Sequence, residues 1–482
     1  MHRHILLVVF GLLFYGIAAG QSLNEFLEAC AAQGYRGSVL VASKGKVLIE
    51  EGYGPADAEA GRKQTAQTVF SVGSVTKQFT AAGIMKLVEQ RKLSVTDALV
   101  KFFPEAPADK KNITLHQLLT HTSGFAGTLG DDYDNVTASQ FLKLAFEAPL
   151  NAKPGEQYEY SNVGYSILGI LIEKVSGMGY EKFLNQYLFA PAGMKRTGYV
   201  IPEFKKEELA VGYRNGVRWG TALDRAWLPD GPGWHLRANG GMLSTVGDMQ
   251  LWHRALRNNK VLAKTSTQQL FAKQVAENPE GSSHYGYGWV IENFGDSEFI
   301  WHNGGNGVYN AFMAFSLTEE VCLVVSSNTN TIISDKVAMQ LLRIIRGNAP
   351  GSLPQSIMRS EPPYRTSPVT RSIYDQIVNQ GGAYFEQHHQ TLLKEAGFDF
   401  EDDMILLGVG ELLLEAGKVT DAVHLFTVYT QLFPRIVVAW NQLGRAYVQL
   451  NQKEKARACF EQSLRLRPSN NPAAELLKEL EK

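Results

Sequence analysis

Residues 35–52, "YRGSVLVASKGKVLIEEG", alternate apolar and polar positions on either side of a Ser-Lys-Gly turn, and so predict two short strands joined as a hairpin. The pattern then changes period. Val75, Phe79, Ala82, Met85 and Val88 are spaced four, three, three and three, which predicts a helix over 75–90 with one buried face. Helices and loops fill the chain to about residue 260. In "STVGDMQLWHRAL", Thr245 is placed as an N-cap with Asp248 three residues on, ahead of an apolar-periodic run. Strand patterns return over 284–328 in "YGYGWVIE", "EFIWH", "VYNAFMAF" and "VCLVVSSN", and a helix is predicted near 334–346. Strands at both ends with helices between them predict one sheet of chain-distant strands and an inserted helical region, an α+β arrangement.

Two stretches stand apart from this pattern. "MHRHILLVVFGLLFYGIAAG" has a basic start at Arg3, an apolar run from Ile5 to about Phe14, and small residues Ala18, Ala19 and Gly20. That is the pattern of a secretory signal over 1–20, cut before Gln21, and it is short for a membrane span. The segment 347–370 holds Pro350, Pro354, Pro362, Pro363 and Pro368, which marks 350–370 as an extended linker after a domain over 21–349. The domain that follows, 371–482, is helical and repetitive. Gly410, Ala422, Phe426 and Pro434 recur 34 residues later as Gly444, Ala456, Phe460 and Pro468. With Trp440, Leu443 and Tyr447 they resemble tetratricopeptide repeats, which implies a groove for a peptide or protein partner. Two repeats are too few for a stable stack, so helices in 372–398 and 470–481 are expected to cap it.

Composition narrows the functional classes. Of 482 residues, 44% are hydrophobic and 20% charged, as in ordinary globular chains. Lys and Arg number 47 against 48 Asp and Glu, so nothing favours nucleic acid or an anionic membrane as partner. Cys30, Cys322 and Cys459 form no disulfide framework, and the last two read as packed core thiols. No Cys/His cluster has zinc spacing, so neither a metal nor another cofactor is expected.

Candidate chemistry lies in "FSVGSVTKQFT". Ser74 and Lys77 are three apart at the start of the predicted helix, which sets the lysine one turn along on the same face and helix N–H groups beside the serine. The same spacing at Ser43–Lys46 falls in the hairpin turn and offers none of this. A serine needs a base and an orienting group. Tyr-x-Asn occurs at Tyr133–Asn135, Tyr160–Asn162 and Tyr213–Asn215, and only the second lies in a loop leading straight into an apolar helix.

"FSVGSVTKQFT", "LLTHTSGF", "PGEQYEYSNVGYSILG", "ANGGMLSTVGDM", "YGYGW" and "WHNGG" occur in this order. Together they resemble the serine β-lactamase and penicillin-binding-protein superfamily, in the class C-like branch that includes esterases and D-aminopeptidases, over about 34–346. The resemblance implies a transpeptidase-like antiparallel sheet flanked by helices. It implies Ser74 as nucleophile, Lys77 beside it, Tyr160 as base toward the serine and acid toward the leaving group, and Asn162 orienting Lys77 and bonding the substrate. Where β-lactamases carry Lys-Thr-Gly, this chain has His302, Asn303 and Gly304, then Gly305, whose N–H would complete an oxyanion hole with that of Ser74. A lysine would offer a substrate carboxylate a permanent charge. A histidine is mostly neutral near pH 7, so poor binding of β-lactam carboxylates is expected. A Lys77 ammonium would lower the Tyr160 pKa and burial would favour neutral Lys77, so the proton's place stays open.

The function implied is an exported, periplasmic or secreted bacterial serine hydrolase acting through an acyl-enzyme on an ester, amide or D-amino-acid peptide. A penicillin-binding covalent receptor or slow D-Ala-D-Ala carboxypeptidase is one alternative, and a repeat-mediated scaffold another. His121 in "THTSG" reads as a structural loop residue, Gly240 and Gly241 as backbone-path residues, and "DDYDN" at 131–135 as a solvated loop.

Overall fold

The structure, a computed structural model, describes residues 20–32, 34–214, 217–225, 227–329, 333–349, 368–400, 404–466 and 473–480. The expected leader, apart from Gly20, and most of the expected linker lie outside these residues. The chain divides into two compact units, Met1–Ser360 and Glu361–Lys482, each described here by itself.

The first unit is built on one antiparallel sheet of eight strands: β1 (Gly37–Ser43), β2 (Lys46–Tyr53), β3 (Val275–Ala276), β4 (Ser283–Tyr285), β5 (Val290–Phe294), β6 (Ser297–Gly305), β7 (Asn310–Ser316) and β8 (Val321–Ser327). Their order across the sheet is β2-β1-β8-β7-β6-β5-β4-β3. The β1–β2 hairpin turns through Lys44 and Gly45, both at positive φ, as a two-residue turn between right-twisted strands requires. β1 then pairs with β8, from Gly37 opposite Ser327 to Ser43 opposite Val321, so strands from the two ends of the unit lie side by side, second and third from the β2 edge.

Both faces of the sheet are covered, and strict alternation decides which residue faces which core. Val39, Val41, Leu323 and Val325 pack with Leu23, Phe26 and Leu27 of a helix over 20–32 and with Val337 and Leu341 of the helix Ile333–Ile345. Leu40, Ala42, Val324 and Met313 face the other way, into the larger core with Phe79 and Leu168. That core holds the inserted helices: α1 (Lys77–Glu89), α2 (Asn162–Ser176) and α3 (Val246–Arg257). Thr245 caps α3, its Oγ1 accepting from the Asp248 N–H at 3.2 Å. The helix expected over 75–90 is shorter by one turn. Gly73–Thr76 form a 3-10 turn, and the α-helix starts at Lys77. Ser74 therefore lies in that turn, outside α1. The three cysteines are free and buried.

The second unit is all helical: Pro368–Gln380, Gly382–Glu395, Met404–Glu415, Val419–Leu432, Val437–Gln449, Lys453–Leu466 and Ala473–Leu480. Its 34-residue period has a packing cause. A Cβ on Gly410 would collide with the ring of Phe426, and one on Gly444 with the ring of Phe460. In each repeat the first helix yields the space that the aromatic ring of the second fills.

Candidate active site

Ser74 is positioned by backbone. Phe70 and Ser71 pair with Ser244 and Leu243, the Val72 N–H donates to the Met242 carbonyl at 2.9 Å, and Gly73 turns the chain at φ 55°. Thr76 Oγ1 donates to the Gly73 carbonyl at 2.7 Å and accepts from the Met242 N–H at 3.0 Å, which locks the turn. Strand β6 then runs against it. A Cβ on Gly73 would collide with the Gly305 nitrogen, and one on Gly304 with the Val72 carbonyl oxygen. Two glycines thus bring the Gly304–Gly305 backbone up to Ser74. β5 pairs with β6 only as far as Trp301, so 302–305 has no sheet neighbour on that side.

Lys77 is wholly buried, and its Nζ has three contacts: Ser74 Oγ at 3.1 Å, Asn162 Oδ1 at 2.7 Å and the Asn239 carbonyl at 2.9 Å. The last two can only accept, so they take two N–H groups whatever the charge of the amine. Burial pushes the Lys77 pKa well below the usual lysine range, against the pull of Asp132. In the neutral amine the third position is a lone pair, and it falls to Ser74 Oγ. Asn239, which the sequence reading did not single out, is fixed in turn. Its Nδ2 donates to Ser166 Oγ and to the His235 carbonyl, each at 2.8 Å. Its only sequence signal is the "ANGG" context, because the group that acts is a carbonyl common to every residue.

Tyr160 leaves 36% of its surface exposed, and its hydroxyl interacts with Ser74. Burial drives its pKa up, the Ser74 bond opposes this, and Glu277 adds to the rise. The lowering expected from sequence needs a Lys77 ammonium, which burial disfavours, so Tyr160 keeps its proton at neutral pH. The Lys77 Nζ lies 4.6 Å from the centre of its ring. Asn162 opens α2 directly after Ser161, whose Oγ caps that helix by accepting from the Gly164 N–H at 3.1 Å.

His302 is 2% exposed. Its Nε2 meets the Tyr285 hydroxyl at 3.0 Å and its Nδ1 the Asn303 carbonyl at 2.5 Å, so protein groups occupy both nitrogens. Burial, aided by Lys77, lowers its pKa to about 3. The structure thus brings Ser74, Lys77, Tyr160, Asn162, Gly304 and Gly305 to one place, with the His302 ring beside Tyr160 at 6.2 Å between centres. The loop expected to be solvated also acts on this place electrostatically. Asp132 is half-buried and interacts electrostatically with Lys77, and burial raises its pKa to about 6. Among the described residues no cluster of three or more His, Cys, Asp or Glu could hold a metal ion.

The chain as a whole resembles known proteins. Protein flp of Staphylococcus aureus is 26% identical over 334 residues, 67% of this chain, and the chain spans 65% of that relative's length. Penicillin-binding protein 4* of Bacillus subtilis is 28% identical over 316 residues, covering 61% of this chain and 68% of its own. Among solved structures, the octameric penicillin-binding protein homologue from Pyrococcus abyssi matches 71% of this chain and 80% of its own, with TM-score 0.61 and 28% identity. The profile of a tetratricopeptide repeat matches residues 437–470. The profile of the family described as Beta-lactamase matches residues 23–345, which takes in both ends of the central sheet and every group around Ser74, and the chain belongs to that family.

Proposed function

We propose that the first unit is a serine hydrolase that works through an acyl-enzyme on an ester, an amide or a D-amino-acid peptide. The observation that carries this is the Lys77 amine, buried, held by two obligate acceptors and turned on Ser74 Oγ. In this reading neutral Lys77 takes the Ser74 proton as Oγ attacks the carbonyl. The Ser74 and Gly305 N–H groups receive the oxyanion, and Asn162 holds Lys77 and the substrate amide. Tyr160, still protonated, gives its proton to the leaving group, and Lys77 returns one to Tyr160. Water then attacks the acyl carbonyl and gives a proton to the same pair, which returns one to Ser74 Oγ as its bond to the acyl group breaks and the acid leaves.

Neutral, protein-bonded His302 supports poor retention of a substrate carboxylate. Ordinary penicillins are therefore expected to be weak substrates. The leading segment supports export to a bacterial periplasm or medium, and the repeats support a peptide or protein partner.

Relatives named as penicillin-binding proteins favour a second reading, a covalent receptor or slow D-Ala-D-Ala carboxypeptidase. An intact-mass time course with a penicillin, a short-chain ester and a D-alanyl peptide, with Ser74→Ala as control, separates the two. A transient adduct with product from ester or peptide supports the hydrolase. A lasting penicillin adduct without product supports the receptor. No adduct and no product with any of the three would count against both.

A further inference from the structure

His121 does more than its loop requires. It is fully buried and adopts φ 58°, a left-handed conformation uncommon for a residue other than glycine. That conformation turns its carbonyl and its ring toward one stretch of chain. The Glu159 N–H donates to the His121 carbonyl at 2.8 Å, and the Ser161 N–H donates to its Nδ1 at 3.0 Å. The two bonded residues are the immediate neighbours of Tyr160. Between them the imidazole lies 4.3 Å from the Tyr160 ring, inclined at 36°. It also packs 4.5 Å from Tyr285 and 5.0 Å from Tyr165. Because Nδ1 accepts from a backbone N–H, the ring proton belongs on Nε2, which has no hydrogen-bond partner among the described residues. An imidazolium could not accept the Ser161 N–H, and burial, Lys77 and His302 all disfavour it.

We infer that His121 is a positioning residue for Tyr160, a single-residue clamp that grips the chain on both sides of the tyrosine through its carbonyl and its side-chain acceptor, so that the hydroxyl stays on Ser74. This rests on the hydrolase reading. A main-chain strand would need several residues to hold 159–161. Here one carbonyl and one ring nitrogen do it, at the cost of the unusual φ.

The test uses two replacements that both tolerate a positive φ. His121→Gly removes the side-chain acceptor for the Ser161 N–H. His121→Asn keeps an acceptor oxygen but loses the ring. Hydrolysis of p-nitrophenyl butyrate by the full chain is followed beside Ser74→Ala, with active sites counted by labelling Ser74 to completion with a fluorophosphonate. His121→Gly should lose kcat on the order of 10–100-fold, the scale of a misplaced reacting group, with KM changed less than about threefold. His121→Asn should stay within about fivefold of the parent. A glycine variant within about twofold of the parent kcat, or equal losses in both variants, overturns the clamp. If the glycine variant yields no labelled protein, the asparagine variant decides alone, and a loss above about tenfold overturns it. Turnover that persists in Ser74→Ala overturns the hydrolase reading and the clamp with it, whereas turnover lost there but kept in His121→Gly removes only the clamp.

Discussion

Lys77 has no carboxylate within hydrogen-bond reach among the described residues, and burial holds its pKa well below the usual range. Its charge state is therefore the variable on which Ser74 depends. The base must be neutral, so activity should rise with pH through the depressed Lys77 pKa and be lost as pH falls below it. Asp132 pulls that pKa upward. Removing the negative charge in Asp132→Asn lets it fall further, so the acid limb of kcat/KM should move to lower pH. The shift should be clearest above about pH 6, where Asp132 carries its charge. An unmoved or upward-shifted limb would break the link between the two groups. Lys77→Ala should lower kcat by roughly 10²–10⁴, the usual worth of a positioned base, and slow labelling of Ser74 in parallel. Ser74, Lys77, Tyr160 and Asn162 could be read from the sequence because side-chain chemistry at fixed spacing marks them. Asn239 and Asp132 could not. One acts through its main chain, and the other lies in a loop whose path no periodicity records. The place of His302 after Trp301 is legible in the sequence, and its partner Tyr285, on another strand, is not.

At the level of elements, glycines set the distances. Gly304 lets β6 touch the serine turn, and a Cβ there meets backbone, which cannot swing aside. Gly304→Ala should abolish ester turnover, measured as kcat per folded chain by circular dichroism; near-parental kcat would show that the turn and strand need not touch. In the repeats the obstacle is a side chain. Gly410→Ala should destabilise the second unit by about 1–3 kcal/mol, as overpacked cores are, through contact with the Phe426 ring. Pairing it with Phe426→Leu should recover part of the loss. Denaturant unfolding of the helical signal would check both, and an unchanged midpoint in Gly410→Ala would refute the tight contact. The repeat was visible in the sequence because the same glycine–phenylalanine pair returns at a fixed period. The helix over 20–32 was not, because its apolar positions follow directly on a stretch that reads as a leader.

For the whole molecule, the division of labour is the open experiment. Deleting 371–482 should leave small-ester turnover within about twofold of the parent if the repeats serve partners and not chemistry. A large loss would tie them to the site. The order of the sheet has a consequence for synthesis. The Tyr35 hydroxyl bonds the Ser326 carbonyl 291 residues away, and β1 meets β8 beside it. At roughly 5–20 residues per second, the first strand waits on the order of 15–60 s for its partner to be made. Until then β1 has only β2 beside it, and contacts this distant form slowly once available. A nascent chain of this design is thus held open for most of its translation, the state in which a polypeptide can still be threaded through a narrow channel, and its Ser74 turn, which β6 and the inserted helix α1 flank, takes shape only after that window has shut.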